Sequence, residues 1–186
     1  MELKTEGIDL FLNELETHYK ISKDLKNEII GFIQNSDCKK IEFSDFKIGA
    51  LGLALHDGVL INKKVLTNSL EFILFVIFHE ISHQYQFKKY GDVVMYNCYL
   101  GDISDIDSAN YMKYTEEVAD KLANKKIVDL QKKQLINTQF KSPELYKHIS
   151  FQKILNMVTH FKSDMKKNNI NSSEKVSRYF YNSVRV

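Results

Sequence analysis

Two histidines four residues apart, with a glutamate directly after the first, stand in the stretch "FHEISHQYQF" at Phe78–Phe87. On an α-helix positions i and i+4 share a face, so His79 and His83 aim both imidazoles at one ion, while Glu80 is turned partly away. Neutral imidazole is a ligand for Zn²⁺. The metal lowers the pKa of its bound water toward about 7, and a carboxylate that does not ligate takes the proton as water attacks a polarised carbonyl. Each residue type in H-E-x-x-H thus has a task. The alternative is a helix that happens to carry two histidines. The preceding run, "LEFILFVI", is almost wholly apolar and buries the helix beneath the site, which favours the metal reading.

A catalytic zinc takes three protein ligands and keeps one position open. The metzincin arrangement is excluded, because it needs Gly and His three and six residues after the second histidine, where Gln86 and Lys89 stand. The other solution is a glutamate on a later helix. "YTEEVADKLAN" places Glu116, Ala119, Asp120 and Ala123 at i, i+3, i+4 and i+7, one helical face. Glu116 is the expected ligand. Ala119 is small enough to let this helix approach the His79 helix closely. Asp120 is placed to accept a hydrogen bond from a ligating imidazole and fix its tautomer. Glu117 is adjacent and ligates instead if the helix is rotated. Read alone, Glu116 and Asp120 form a solvated acidic face; 33 residues after His83 they read as part of a site.

The elements that must position these residues follow from periodicity. Ile8, Phe11, Leu12, Leu15 and Tyr19 repeat at helical spacing over residues 7–20. Ser22 is an N-cap for a second helix carrying Leu25, Ile29, Phe32 and Ile33. "IEFSDFKIGALGLAL" and "GVLINKKVL" are shorter β-compatible runs around the turn signal His56-Asp57-Gly58, which predicts a small antiparallel sheet between Lys40 and Leu66. Asn68 with Glu71 resembles a capping box for a long helix over residues 69–88, closed near Gly91. Residues 91–108 read as loop with short elements, residues 108–134 as the glutamate helix. Ser142-Pro143-Glu144 predicts the start of a last long helix reaching about Lys167, and the tail "SSEKVSRYFYNSVRV" is ambiguous. The expected architecture is one α+β domain over residues 1–186, with N-terminal helices at 1–36, a catalytic core at 40–134 and a C-terminal helix at 142–168.

"FHEISH" followed by "EEVAD" resembles the gluzincins, zinc peptidases with HExxH and a downstream E-x-x-A-D or E-x-x-x-D. Within them, "GVLINKKVL…FVIFHEISHQ" is most similar to the short intracellular ImmA/IrrE-like and phage-type metallopeptidases. The resemblance covers roughly Gly58 to Asn124. It implies a zincin-like fold and a zinc-dependent endopeptidase acting on a protein or peptide. It also implies that His79, His83 and Glu116 ligate Zn²⁺, that Glu80 is the general base and that Asp120 orients His79. Part of the Leu51–Leu66 hairpin would form the edge strand along which a peptide docks. The family usually adds an oxyanion-stabilising group, for which Tyr90, Tyr111, Tyr114, Tyr146, His148 and His160 are candidates.

Composition bounds the rest. With 44% hydrophobic residues, seven glycines and one proline, 186 residues suffice for one globular domain and show no Pro/Gly linker. Two cysteines, Cys38 and Cys98, make no disulfide framework and read as reduced thiols. The N-terminal stretch has no basic segment leading into an apolar one, and no run reaches the length of a membrane span, so a cytoplasmic protein with no membrane partner is expected. His18 and His56 read as structural or exposed. Asp102, Asp105 and Asp107 lack the ligand set of a calcium loop and read as a helix-capping segment. Charge is uneven. Residues 121–168 carry eleven lysines against Asp129, Glu144 and Asp164, a net of +8 within a chain of +2. A basic half can attract nucleic acid, which keeps open a SprT-like protease acting on DNA-bound proteins. Such enzymes take a third histidine shortly after the motif, and none stands between His83 and His148. A zinc-stabilised regulatory or binding module without proteolysis is the alternative of a different class; Glu80 argues against it, because a purely structural site needs no carboxylate there.

Overall fold

The structure is a computed structural model and describes residues 6–47, 49–100, 103–144 and 149–185. Among them seven α-helices and a three-stranded sheet form an α+β fold. Helix α1 (Ile8–His18) buries Ile8, Phe11, Leu12 and Leu15, the spacing that predicts it. Helix α2 (Lys23–Asn35) starts on Ser22, whose hydroxyl accepts the Leu25 N–H. Strands β1 (Ile41–Ser44), β2 (Gly52–Leu55) and β3 (Gly58–Asn62) follow, in the spatial order β1-β3-β2.

The sheet is mixed and not antiparallel throughout. β2 and β3 form the expected antiparallel hairpin across His56 and Asp57, but β1 pairs parallel to β3, Ile41 opposite Val59. The physical reason is burial. β3 is buried at all five residues and takes the centre, where both edges are paired and both faces covered. A turn signal reports only which neighbours in sequence pair, and β1 reaches β3 across the whole intervening hairpin strand. The strand also ends earlier than Leu66. Asn62 donates to the Ala50 carbonyl and accepts the Lys64 N–H, and so turns the chain into a 3-10 helix over Lys63–Thr67.

Helix α3 (Leu70–Tyr90) is the centre of the molecule, with every residue from Ile73 to Gln84 buried. A helix buried on all sides sits between layers and is not a surface element. Its cap is Ser69, which accepts the Phe72 N–H; the Asn68–Glu71 box does not form. Asn68 instead donates to the Val65 carbonyl, and Glu71 accepts the Asn137 N–H. Gly91, at φ 78, ends the helix in a conformation that L side chains avoid. Residues 92–100 are helical too, as α4 (Asp92–Leu100), where loop is expected. Its burial of Met95, Tyr96 and Cys98 against other elements supplies what the sequence period does not.

Helix α5 (Asp105–Lys132) begins three residues earlier than expected, on Ser104, which accepts the Asp107 N–H. Asp105 and Asp107 thus occupy its first turn, where carboxylates favour the helix dipole; Asp102 lies outside the described residues. Pro143 does not take a first helical position, and the part of the expected helix over residues 145–148 lies outside the described residues. Residues 141–144 have no regular structure, and α6 (Phe151–Lys167) starts on Ser150, whose hydroxyl accepts the Lys153 N–H. The ambiguous tail forms α7 (Ser173–Val184).

Two apolar clusters sandwich the sheet. One joins α1, α2, α3 and the end of α5 to Ile41, Phe43, Val59 and Ile61. The other joins α4, α6 and α7 to Phe46, Leu55 and Leu60. Truncating Phe75 or Phe78, both fully buried, costs about 3–5 kcal/mol on general grounds. After α7 the chain returns to the β1 side, where Lys47 N–H donates to the Val184 carbonyl and Arg185 to Ser44.

Candidate metal centre

Helix α3 carries its chemistry where burial is deepest. His79, Glu80, Ser82, His83, Gln84 and Gln86 are all buried. Polar groups in such a place need partners, and the partners come from α5 and the hairpin. Ala119 and Ala123 of α5 are fully buried against α3. With only a methyl group at these positions, the two helices come close enough for short carboxylates on α5 to reach α3 imidazoles.

His79 Nδ1 lies 2.8 Å from Asp120 Oδ1. His83 Nδ1 lies 2.9 Å from Gln86 Oε1. Both oxygens accept, so each ring donates from Nδ1 and turns its Nε2 toward the cluster. These two Nε2 atoms are 3.2 Å apart, and Glu116 Oε2 lies 3.1 Å from the first and 3.4 Å from the second. Among the described residues, His79, His83 and Glu116 are the group whose donor atoms converge. A tetrahedral Zn²⁺ at roughly 2.0–2.1 Å from three ligands sets them roughly 3.3–3.4 Å apart. The observed spacings fit that triangle, and two imidazoles with one carboxylate are a zinc-compatible donor set. Side-chain exposure rises from 3% at His79 to 10% at His83 and 18% at Glu116, so the cluster sits at the rim of the core on its Glu116 side.

Charge follows the same geometry. Burial disfavours an imidazolium at His79, but the Asp120 and Glu116 carboxylates outweigh it and raise the pKa to about 10. His83 is also raised, burial being outweighed by Glu116. Glu116 is held far below the usual carboxylate range: burial opposes its charge, and His83 and His79 overcome it. The cluster attracts positive charge, whether a proton or a metal ion.

Glu80 is not one of the three converging donors. Its side chain lies against β2, so closely that a Cβ on Gly52 would stand 2.5 Å from Glu80 Cγ. The β2–β3 register, with Asn62 N–H donating to Leu51 O, turns the N–H and C=O of Gly52 and Ala54 away from β3, and Glu80 accepts from the Ala54 backbone. Burial raises its pKa, against the lowering effect of His79 and His83. Gln84 donates to the Leu55 and Gly58 carbonyls and so pins the hairpin turn to α3 beside Glu80.

The structure brings together His79, Glu80, His83, Glu116 and Asp120. Glu117 points outward, 41% exposed and 3.9 Å from Lys113, so the register with Glu116 inward is the one adopted. The oxyanion candidates are not gathered. Tyr111 donates to Met95 Sδ, His160 faces Asp164 at 72% exposure, Tyr90 lies under Lys89 and Tyr114 is 55% exposed. Tyr146 and His148 lie outside the described residues. His56 neighbours Asp57 and Asp92, and His18 lies beside Tyr19. Cys38 and Cys98 are buried, their thiols pushed up to about 12 chiefly by burial, and they donate to the Lys40 and Met95 carbonyls. Sequence reasoning misses Gly52, Gln84 and Gln86. For Gln86 a signal exists, since i+3 from a ligating histidine is within reach of its ring. The meeting of Gly52 with Glu80 depends on sheet placement. Comparison with protein-family models, with curated proteins and with solved structures found no match.

Proposed function

We propose that the chain is a zinc-dependent endopeptidase of the gluzincin type, similar to the short ImmA/IrrE-like and phage-type enzymes, acting on a protein or peptide. The observation that carries this reading is the convergence of His79, His83 and Glu116 with Glu80 beside them and outside the ligand triangle. His79, His83 and Glu116 would hold Zn²⁺, which supplies a Lewis acid that polarises a peptide carbonyl and acidifies water. Asp120 holds the His79 ring with its Nε2 toward the ligand site. Glu80 takes a proton from the attacking water and passes it to the departing amine as the C–N bond breaks; its burial raises its basicity for that task. The outward-facing N–H and C=O of Gly52 and the C=O of Ala54 on edge strand β2 suit a peptide laid alongside, next to Glu80, which the Ala54 N–H already serves. Three of the lysines that make the 121–168 segment basic are already engaged, Lys126 and Lys133 by Glu28 and Lys162 by Asp105, which weighs against a nucleic-acid partner. No helix among the described residues is long and apolar enough to cross a membrane.

The test joins metal analysis to a proteome-wide cleavage comparison of wild type and Glu80→Gln. Both proteins should hold about one Zn²⁺, and only wild type should generate new peptide ends, with a rate difference of about 10²–10⁴-fold on the substrate so found. Equal cleavage by both would remove Glu80 from the chemistry. No cleavage by either, with zinc bound, would leave the regulatory-module reading.

A further inference from the structure

Gln86 is 4% exposed on the buried side of α3, three residues after His83. Its Nε2 lies 2.8 Å from the Thr115 carbonyl, and its Oε1 lies 2.9 Å from His83 Nδ1. The orientation of this amide is fixed by its partners. A carbonyl only accepts, so the NH2 end faces Thr115; the amide oxygen only accepts, so His83 must donate from Nδ1. Thr115 directly precedes Glu116, and its own hydroxyl donates to the Met112 carbonyl at 2.8 Å, which ties its side chain to the preceding turn.

We infer that Gln86 is a positioning residue of the metal centre: its amide fixes His83 as the Nδ1–H tautomer and ties that ring to the turn of α5 that carries Glu116. The inference rests on the metal reading above. One side chain thereby sets both the direction of the His83 lone pair and the spacing between a ligand on α3 and a ligand on α5. The two histidines are served differently. His79 has a carboxylate partner, Asp120, which strengthens it as a donor; His83 has a neutral amide, which orients the ring and adds no further negative charge to a cluster that already holds Glu80, Glu116 and Asp120. A carboxylate at position 86 would keep the acceptor for His83 but set a second acceptor against the Thr115 carbonyl.

The test uses Gln86→Met, which keeps the length of the side chain and removes both hydrogen bonds, and Gln86→Glu, which keeps only the one to His83. Zinc dissociation constants are measured by competition with a chelator, and the Nδ1–H signals of the zinc-loaded, ¹⁵N-histidine-labelled proteins are recorded by NMR. In Gln86→Met zinc should bind about 10–100-fold more weakly. The His83 Nδ1–H signal should broaden by exchange while that of His79 persists. In Gln86→Glu the His83 signal should return. If Gln86→Met lowers thermal stability alone, with zinc affinity and the His83 signal as in wild type, Gln86 is only a packing residue and the inference fails. Should Gln86→Met not fold, Gln86→Glu decides, because loss of the His83 signal there overturns the assignment. A wild-type protein that holds no stoichiometric zinc removes the metal reading itself, a different result from an unaffected variant.

Discussion

Helix α5 meets two neighbours through charged groups, and the two meetings differ in which groups face one another. At its outer end, Lys126 and Lys133 reach Glu28 of α2 at 2.6 and 2.7 Å, and Asp129 lies 3.0 Å from Lys133. Two carboxylates and two ammonium groups there complete one another at a partly exposed surface. Toward its other end, Glu116 and Asp120 turn inward to His79 and His83 of α3. With both rings donating from Nδ1, their Nε2 atoms and Glu116 Oε2 converge on one point. Density of charge therefore does not set the inner group apart; convergence of buried imidazole and carboxylate groups does. The surface network pairs ammonium groups with carboxylates, and the buried one gathers two imidazoles and a carboxylate whose donor atoms could hold a metal ion.

The largest effect should come from breaking the inner set. Glu116→Ala should lose stoichiometric zinc, while Glu117→Ala, which alters only an exposed contact with Lys113, should retain it. Metal analysis of the two purified variants checks the pair, and the reverse ranking would contradict the inward register of Glu116.

Next comes the hairpin's contribution. Gly52→Ala places a Cβ 2.5 Å from Glu80 Cγ, so Glu80 or β2 must move, while the three ligands are untouched. Zinc should remain and hydrolysis should fall by up to about the 10²–10⁴-fold that a lost general base costs. A variant as active as wild type would show that Glu80 needs no such close fit.

The pH dependence should separate metal-free from metal-loaded protein by sign. His79 is raised to about 10, so in metal-free protein its contribution is fully present below the unfolded value of about 6.5 and lost as pH rises toward 10. Glu116 is depressed, so its contribution is present above 4.5 and lost as pH falls through its lowered folded value. Metal-free protein should melt highest between about pH 4.5 and 6.5. Zinc competes with the imidazole proton, so the melting-temperature gain on adding zinc should grow from pH 6 to pH 8. A zinc gain independent of pH would mean that the metal sits elsewhere.

The smallest effect belongs to the outer network. Glu28 is held below the usual carboxylate range by Lys126 and then Lys133, so what it contributes is present above about 4.5 and lost at lower pH. Glu28→Gln should cost under about 1 kcal/mol at pH 7 by denaturant titration, as exposed ion pairs do, and leave zinc affinity unchanged. A change in zinc binding would mean that the two ends of α5 are coupled.

What was legible in the sequence follows the same division. The i, i+4 spacing of His79 and His83 and the single face of Glu116, Ala119 and Asp120 are local helix geometry, and the structure brings those side chains together as expected. The caps at Ser22 and Gly91 are local too. Partnership across elements was not legible. β1 pairs parallel to β3 because the most buried strand takes the middle of the sheet, α4 is helical through burial of Met95, Tyr96 and Cys98, and Pro143 precedes its helix instead of starting it. Gly52 and Gln86 matter only once β2 lies against Glu80 and Thr115 lies against α3. Periodicity within one element carries no such information.

X-ray absorption at the zinc edge of the purified, zinc-loaded protein tests the central claim most directly. The account predicts two imidazole nitrogens and one protein carboxylate oxygen around the metal, with one position left to a small non-protein ligand, and a spectrum unchanged in Glu80→Gln. A sulfur neighbour, a fourth protein ligand, or a first shell that alters in Glu80→Gln would contradict it.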